Sequence, residues 1–389
     1  MRIAYISEAD PGDRAAFSGS SYQILQIMQG TGADVEVIGP VMKKWRFNAM
    51  RIASLPYRLT GRGVAWPKHP FLLRDYGRIT DSVVKRLQPD VVFSPGSNAI
   101  AYSSFLRPTL FWSDAPFGAL MDYYPWPQYQ RLTEASRQYG LEADTRALRN
   151  AYAGIFRSSW GRDCAIDIHG ADPDRVHVLP LPGSFKPWTM PDIQKAVPER
   201  LKSPWKIFFS GVDWQRKGGD RAVAIINELV RLGQPCELHV AGVTPPAHAM
   251  AGAQFPIRVL GRQNINIPVE RERLANWLHQ STFLLVPTTA EALGLVFCEA
   301  LGAGVPALGT HTGGVPDAIV DGKTGFLIEQ NERPQVTAQR MLDAGRPEIY
   351  SRMTEASWQE WSARFSTEAI AAKLLRLLEA AAASQRVKK

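Results

Sequence analysis

The chain has 389 residues, 45% hydrophobic and 21% charged, with a formal net charge of +8. That length exceeds one ordinary core and favours two domains, and the composition excludes a disordered or collagen-like chain. Cys164, Cys236 and Cys298 are too widely separated for a disulfide framework or a metal-ligand spacing, so they read as packing residues in a reducing compartment.

The opening run "MRIAYISEAD" meets Glu8 and Asp10 too soon for a secretory signal. No apolar stretch is long enough to span a bilayer, since even 292–309 is interrupted by Glu299 and Pro306. The expectation is a cytoplasmic protein. Short buried strands are predicted at 2–6, 34–39, 90–95, 109–113 and 153–159, with helical segments between them. A second series follows at 206–211, 236–242, 257–261, 283–288 and 305–310. Alternation of this kind predicts α/β architecture, with parallel sheets covered by helices.

Between the two series, residues 178–205 are rich in proline and lack periodicity, which marks an interdomain connection. The domains are therefore drawn as 1–185 and 206–365, with a linker over 186–205 and a closing helix and basic tail over 366–389. Two doubly wound domains with a closing helix make a cleft. The charge is uneven: Lys43 to Arg78 holds nine Lys/Arg against Asp75 alone, mixed with Trp45, Phe47, Tyr57, Trp66, Phe71 and Tyr76. Such a segment is either a solvated loop or a surface for an anionic partner. Without a nucleic-acid motif, a membrane surface or a charged acceptor is the better functional choice.

Three segments carry chemistry. In "AEALGLVFCEALGAG" (290–304), Glu291 and Glu299 sit in an otherwise apolar or small run, and a lone buried carboxylate is costly without a partner. Gly294 is followed by a helix, whose free N–H groups attract phosphate. A carboxylate at 299 can accept from two hydroxyls of a ribose diol, or pair with an arginine elsewhere. In "FFSGVDWQRKGGDRA" (208–222), Arg216 and Lys217 follow the turn at Gly211, a pairing that suits a diphosphate. The third segment, 309–328, has closely spaced glycines that permit tight turns.

Residues 283–328 resemble the signature of retaining glycosyltransferases of family four, which have the GT-B fold of two Rossmann-like domains. The family's Glu, seven residues, Glu pattern falls on Glu291 and Glu299; "GLVFCEALGAGVPAL" matches its glycine-rich run; "GGVPD" matches its GGvpE, with Asp317 for the usual Glu. The resemblance implies that Glu299 binds the donor's ribose, Glu291 contacts the transferred sugar, and amides around Leu293, Gly294 and Leu295 meet the diphosphate or sugar. It places Arg216 and Lys217 near the diphosphate, although Val212 stands where the family often has arginine. It also implies Arg262 of "VLGR" as a nucleobase neighbour and Gly19 of "AAFSGSSYQIL" as a close approach to donor phosphates or acceptor. Asp114 of "LFWSDAPFGALMDYYP" is either near the reacting sugar or a cap for the next helix.

The function implied is metal-independent transfer of a sugar from a nucleoside-diphosphate sugar to an acceptor hydroxyl, with retention. No cofactor is implied beyond the donor substrate. The acceptor is a glycan, a lipid-linked or another small molecule, with peripheral membrane contact through 43–78 and no nucleic-acid partner. The sole Asp-x-Asp, Asp172-Pro173-Asp174, lies in a proline turn, and of seven histidines only His311 falls in a glycine-rich loop. Missing a Gly-x-Gly-x-x-Gly turn after the first strand, the chain does not read as a nicotinamide dehydrogenase. A sugar-nucleotide epimerase or hydrolase, or an inactive sugar-nucleotide-binding protein, stays open.

Overall fold

A computed structural model of the protein describes residues 1–14, 19–53, 61–126, 129 and 131–386. Outside them lie Tyr57 and Arg58 of the basic segment, residues 15–18 of the first glycine turn and tail residues 387–389. The chain forms two compact units: Met1–Leu181 with Thr367–Lys389, and Pro182–Ser366.

Unit 1 begins β1 (Arg2–Ile6), α1 (Ser20–Gly30), β2 (Asp34–Ile38), α2 (Lys44–Ala53), α3 (Pro70–Leu87) and β3 (Val91–Ser94). It continues β4 (Thr109–Ser113), α4 (Phe117–Tyr123), α5 (Glu134–Asn150), β5 (Ala153–Phe156), α6 (Ser159–His169) and β6 (Val176–Val178). The six strands pair in parallel in the order β2-β1-β3-β4-β5-β6. Central strands covered by helices on both faces need no polar alternation, and β3 and β5 are buried at every position.

Unit 2 runs α7 (Met190–Arg200), β7 (Trp205–Ser210), α8 (Gly219–Arg231), β8 (Cys236–Ala241), α9 (Ala247–Gly252), β9 (Ile257–Gly261) and α10 (Pro268–His279). Then follow β10 (Phe283–Val286), α11 (Leu295–Gly302), β11 (Ala307–Thr310), α12 (Val315–Ala318), β12 (Gly325–Ile328), α13 (Pro334–Ala344) and α14 (Pro347–Arg364). Its sheet order is β12-β11-β10-β7-β8-β9, all parallel. The direction of winding reverses between β7 and β10, which pair through Phe283 and Ile207. In open parallel sheets such a switch point leaves a crevice at the carboxyl ends of the two strands, and ligands bind there. The last helix, α15 (Thr367–Arg386), belongs to unit 1, where it packs against α1 and buries Ile370, Leu374, Leu378 and Ala381.

The structure departs from the sequence reading in three places. The segment read as a linker over 186–205 lies in unit 2 and contains α7, which forms despite two prolines. Pro191 falls in the first turn, where an N–H has no partner in any case, whereas Pro198 lies inside the helix and costs it the bond to the Gln194 carbonyl. Thr189 caps this helix by accepting from the Asp192 amide. Strands β6 and β12, both at sheet edges and only partly buried, were not among the expected strands. Among the described residues, no helix is long and apolar enough to cross a membrane.

Candidate functional site

The loops after β7 and β10 flank the switch point, and the structure brings most of the expected residues together there. Gly211 follows β7 where only glycine fits, since a Cβ would lie 2.6 Å from the Lys217 Cγ. Gly218, with φ of 75°, starts α8, and a Cβ there would come within 2.0 Å of the Pro287 carbonyl. The two loops are thus seated backbone against backbone. Thr289 N donates to the Arg216 carbonyl at 2.7 Å, and Thr288 Oγ1 lies within hydrogen-bond distance of the carbonyls of Arg216 and Ala290.

This contact turns the cations of one loop onto the carboxylate of the other. Arg216 Nη1 donates to the Ala290 carbonyl at 2.8 Å and to Glu291 Oε2 at 3.3 Å, and Lys217 Nζ donates to the same Oε2. All three side chains are nearly covered, at 7%, 11% and 13% exposure for Arg216, Lys217 and Glu291. Burial alone would raise the Glu291 pKa, but Lys217 and Arg216 beside it outweigh burial and hold the carboxyl below the usual range. Asp213 accepts from the Arg216 amide at 3.0 Å. Val212 is exposed and contributes no charge at the position where a cation was looked for.

Three residues past Glu291, Gly294 takes φ of 84° and is the N-cap of α11, with no side chain of its own to cap the first turn. Leu293 is buried and Leu295 half-buried beside it. Glu299 sits one turn into that helix. Its partner is not an arginine: the Ser184 amide donates to Oε1 at 2.9 Å. Burial pushes its pKa up to about 7, with the Ser184 hydrogen bonds and the charge of Lys217 only partly offsetting it. The two carboxylates of one loop and helix therefore differ in kind, one locked to cations and one held by a peptide N–H.

Other expected residues fall elsewhere. Arg262 is exposed after β9, the outermost strand of the sheet. His311 is exposed and within 2.8 Å of Glu329 Oε1. Two site residues belong to unit 1. Gly19 starts α1 with φ of 81°. Asp114 leaves β4 beside Arg157, which leaves the neighbouring strand β5, and Arg157 Nη2 lies 2.5 Å from Asp114 Oδ1. Asp114 does not cap the next helix; Asp144 does, accepting from Phe117 N at 2.6 Å while it pairs with Lys68 at 2.5 Å and Ser97 at 2.6 Å. Ser184, Arg157 and Asp144 were not singled out in the sequence. Gly183-Ser184 inside a proline-rich stretch was the available signal for the first. Among the described residues, no group of three His, Cys, Asp or Glu is gathered that could hold a metal ion.

Residues 204–345 match the family model described as glycosyl transferases group 1. The chain is 31% identical over 201 residues to a D-inositol 3-phosphate glycosyltransferase of Streptomyces scabiei, covering 48% of this chain and 45% of that protein. It is 32% identical over 101 residues to an N-acetyl-alpha-D-glucosaminyl L-malate synthase of Bacillus anthracis, 26% of each. The chain thus spans about half or less of the length of these curated relatives. Two solved structures resemble it over nearly their whole length at low identity. They are sucrose-phosphate synthase of Thermosynechococcus elongatus (TM-score 0.70, 17% identity, 99% of this chain and 100% of that one) and HepE of Anabaena in complex with UDP (TM-score 0.64, 14% identity, 98% and 100%). The second unit is a glycosyl transferases group 1 domain, and the chain has the GT-B fold.

Proposed function

We propose that the protein is a retaining glycosyltransferase that moves a sugar from a nucleoside-diphosphate sugar to an acceptor hydroxyl without a metal ion. The observation that carries this reading is the placement of buried Lys217 and Arg216 at the switch point, beside the uncapped start of α11. An ammonium has three donors, so Lys217 can serve Glu291 and still meet a phosphate oxygen. The first-turn N–H groups of α11 supply further donors to an anion. Glu299, with no cation in hydrogen-bond contact, is the acceptor for the donor's ribose hydroxyls. Charge that builds on the leaving diphosphate is then met by fixed donors, the main catalytic device of the site. A leaving phosphate oxygen takes the acceptor's proton, and retention needs no strong side-chain base.

UDP is the first nucleotide to try, because HepE was solved with UDP and with UDP-glucose. The relatives named for inositol 3-phosphate and L-malate favour a small anionic acceptor, in keeping with the net charge of +8. Calorimetry with UDP tests the site: Lys217→Ala is expected to weaken binding by about tenfold or more, the scale of a lost charged hydrogen bond. Unchanged affinity in that variant overturns the assignment. Transfer from UDP-glucose to anionic acceptors is expected to persist in chelator, and a strict divalent-metal requirement overturns metal independence. Donor turnover without acceptor would instead indicate an epimerase or hydrolase, and binding without turnover would indicate a binding protein.

A second reading concerns peripheral contact with an anionic membrane through 43–78. It is favoured by Trp45 and Ile52 on α2 and Phe71 on α3, all exposed among basic neighbours. Large apolar side chains in a cationic segment suit a lipid interface better than water.

A further inference from the structure

Glu299 is held by a segment that lies ahead of the family match, which begins at residue 204. Gly183 has φ of 93° and runs so close to the glutamate that a Cβ would stand 2.5 Å from Glu299 Cγ and 3.4 Å from its backbone N. Any other residue would suffer both the left-handed backbone and the collision. The next residue, Ser184, gives its amide to Oε1 at 2.9 Å. Neither residue is loose. Trp361 Nε1, on α14, donates to the Pro182 carbonyl at 3.2 Å, and Trp358 Nε1 donates to the Trp188 carbonyl at 2.8 Å. The Trp188 ring in turn stacks on His279 with centroids 4.4 Å apart. Two tryptophans of one helix thus pin the strap 182–188 at both ends, and the same helix packs on α11.

We propose that the Gly183–Ser184 turn is the positioning element for Glu299, fixing its carboxylate through the Ser184 peptide N–H and hydroxyl so that its remaining acceptor positions are presented to the hydroxyls of a bound nucleotide. The proposal rests on the reading of Glu299 as the ribose partner. A carboxylate has about four acceptor positions, and the Ser184 amide and hydroxyl leave about two for a diol. A peptide donor restrains the rotamer without neutralising the charge, which a second arginine would do. Lys217, from the β7–α8 loop, is the charged group acting on Glu299, and it is already bonded to Glu291. The Ser184 bond also stabilises the ionised form, so its loss leaves the carboxyl protonated to higher pH.

The test is calorimetry of UDP, GDP and ADP on the full chain between pH 5.5 and 8.5, for wild type, Gly183→Ala, Ser184→Ala and Glu299→Gln. Wild-type affinity for the preferred nucleotide is expected to rise with pH through about 7 as Glu299 ionises. Gly183→Ala is expected to lose about tenfold at pH 7 and to shift that midpoint upward. Ser184→Ala, which keeps the amide and removes only the hydroxyl bond to Glu299, is expected to show a smaller loss than Gly183→Ala. If Gly183→Ala does not fold, Ser184→Pro, which deletes the N–H together with the hydroxyl, must show a loss and upward shift larger than those of Ser184→Ala. Wild-type affinity and pH profile in a folded Gly183→Ala, with Glu299→Gln impaired, overturn the positioning role and leave the nucleotide site standing. If Glu299→Gln binds as wild type, or wild type binds none of the three, the nucleotide reading falls and this inference falls with it.

Discussion

Glu291 and Glu299 stand eight positions apart, yet their surroundings give them opposite protonation behaviour. Glu291 is held ionised by Lys217 and Arg216 against the effect of burial, and Glu299 is pushed up to about 7 because a peptide N–H offsets burial less than a cation does. The sign for stability follows. A carboxyl with a raised folded-state pKa takes up a proton on folding, so its contribution is full below the ordinary carboxylate range and is lost as pH climbs to about 7. Glu299→Gln is therefore expected to melt higher than wild type at pH 8 without nucleotide, with the gap closing toward pH 4.5, while it binds nucleotide less well. Thermal melts across that range check this, and a gap that does not change with pH rules it out. The sequence displayed both carboxylates in an apolar run. It could not show which one pairs with cations, because Lys217 is 74 residues from Glu291 and meets it only through the switch of the sheet.

Among elements, α7 shows what composition concealed. Its prolines read as a linker, but its last residue, Arg200, is 2% exposed and ties together the ends of two other helices. Arg200 donates to the carbonyls of His279 (2.7 Å), Ala303 (2.7 Å) and Gly304 (2.6 Å), at the C-termini of α10 and α11. A cation at two negative helix ends needs no carboxylate partner. Burial and this guanidinium keep the His279 imidazole down at about 4, so it is neutral where it accepts from Arg200 at 2.9 Å. Arg200→Met would leave three buried carbonyls without donors, at about 1 kcal/mol or more each. We expect a loss of about 3 kcal/mol in unit 2, read as a lower urea midpoint; a midpoint equal to wild type would contradict this role. Long strands such as β7 and β8 were legible from their apolar runs. Strands β6 and β12 were not, since they are edge strands buried over only part of their length.

At the scale of the whole molecule, the alternation of strands and helices announced two Rossmann-like units, and the glycine-rich and Glu-bearing segments marked loops that meet at the switch point of the second sheet. Only the sheet order shows why they meet, since it sets β7 beside β10. The net positive charge of the chain lies mostly in the first unit, where nine Lys/Arg crowd residues 43–78. If that surface meets anionic lipid, the protein should sediment with vesicles containing phosphatidylserine at low salt and be released as the Debye length shrinks from about 10 to about 3 Å near 1 M salt. Absence of binding at either ionic strength would remove the membrane reading.

The helix α15 completes a unit whose other residues are 1–181. On a ribosome, therefore, the half begun first is finished last: residues 182–366 can reach their final form while the groove over α1 still waits for Ile370, Leu374 and Leu378. A premature stop just ahead of Thr367 would injure the portion synthesised earliest and spare the one translated immediately before it.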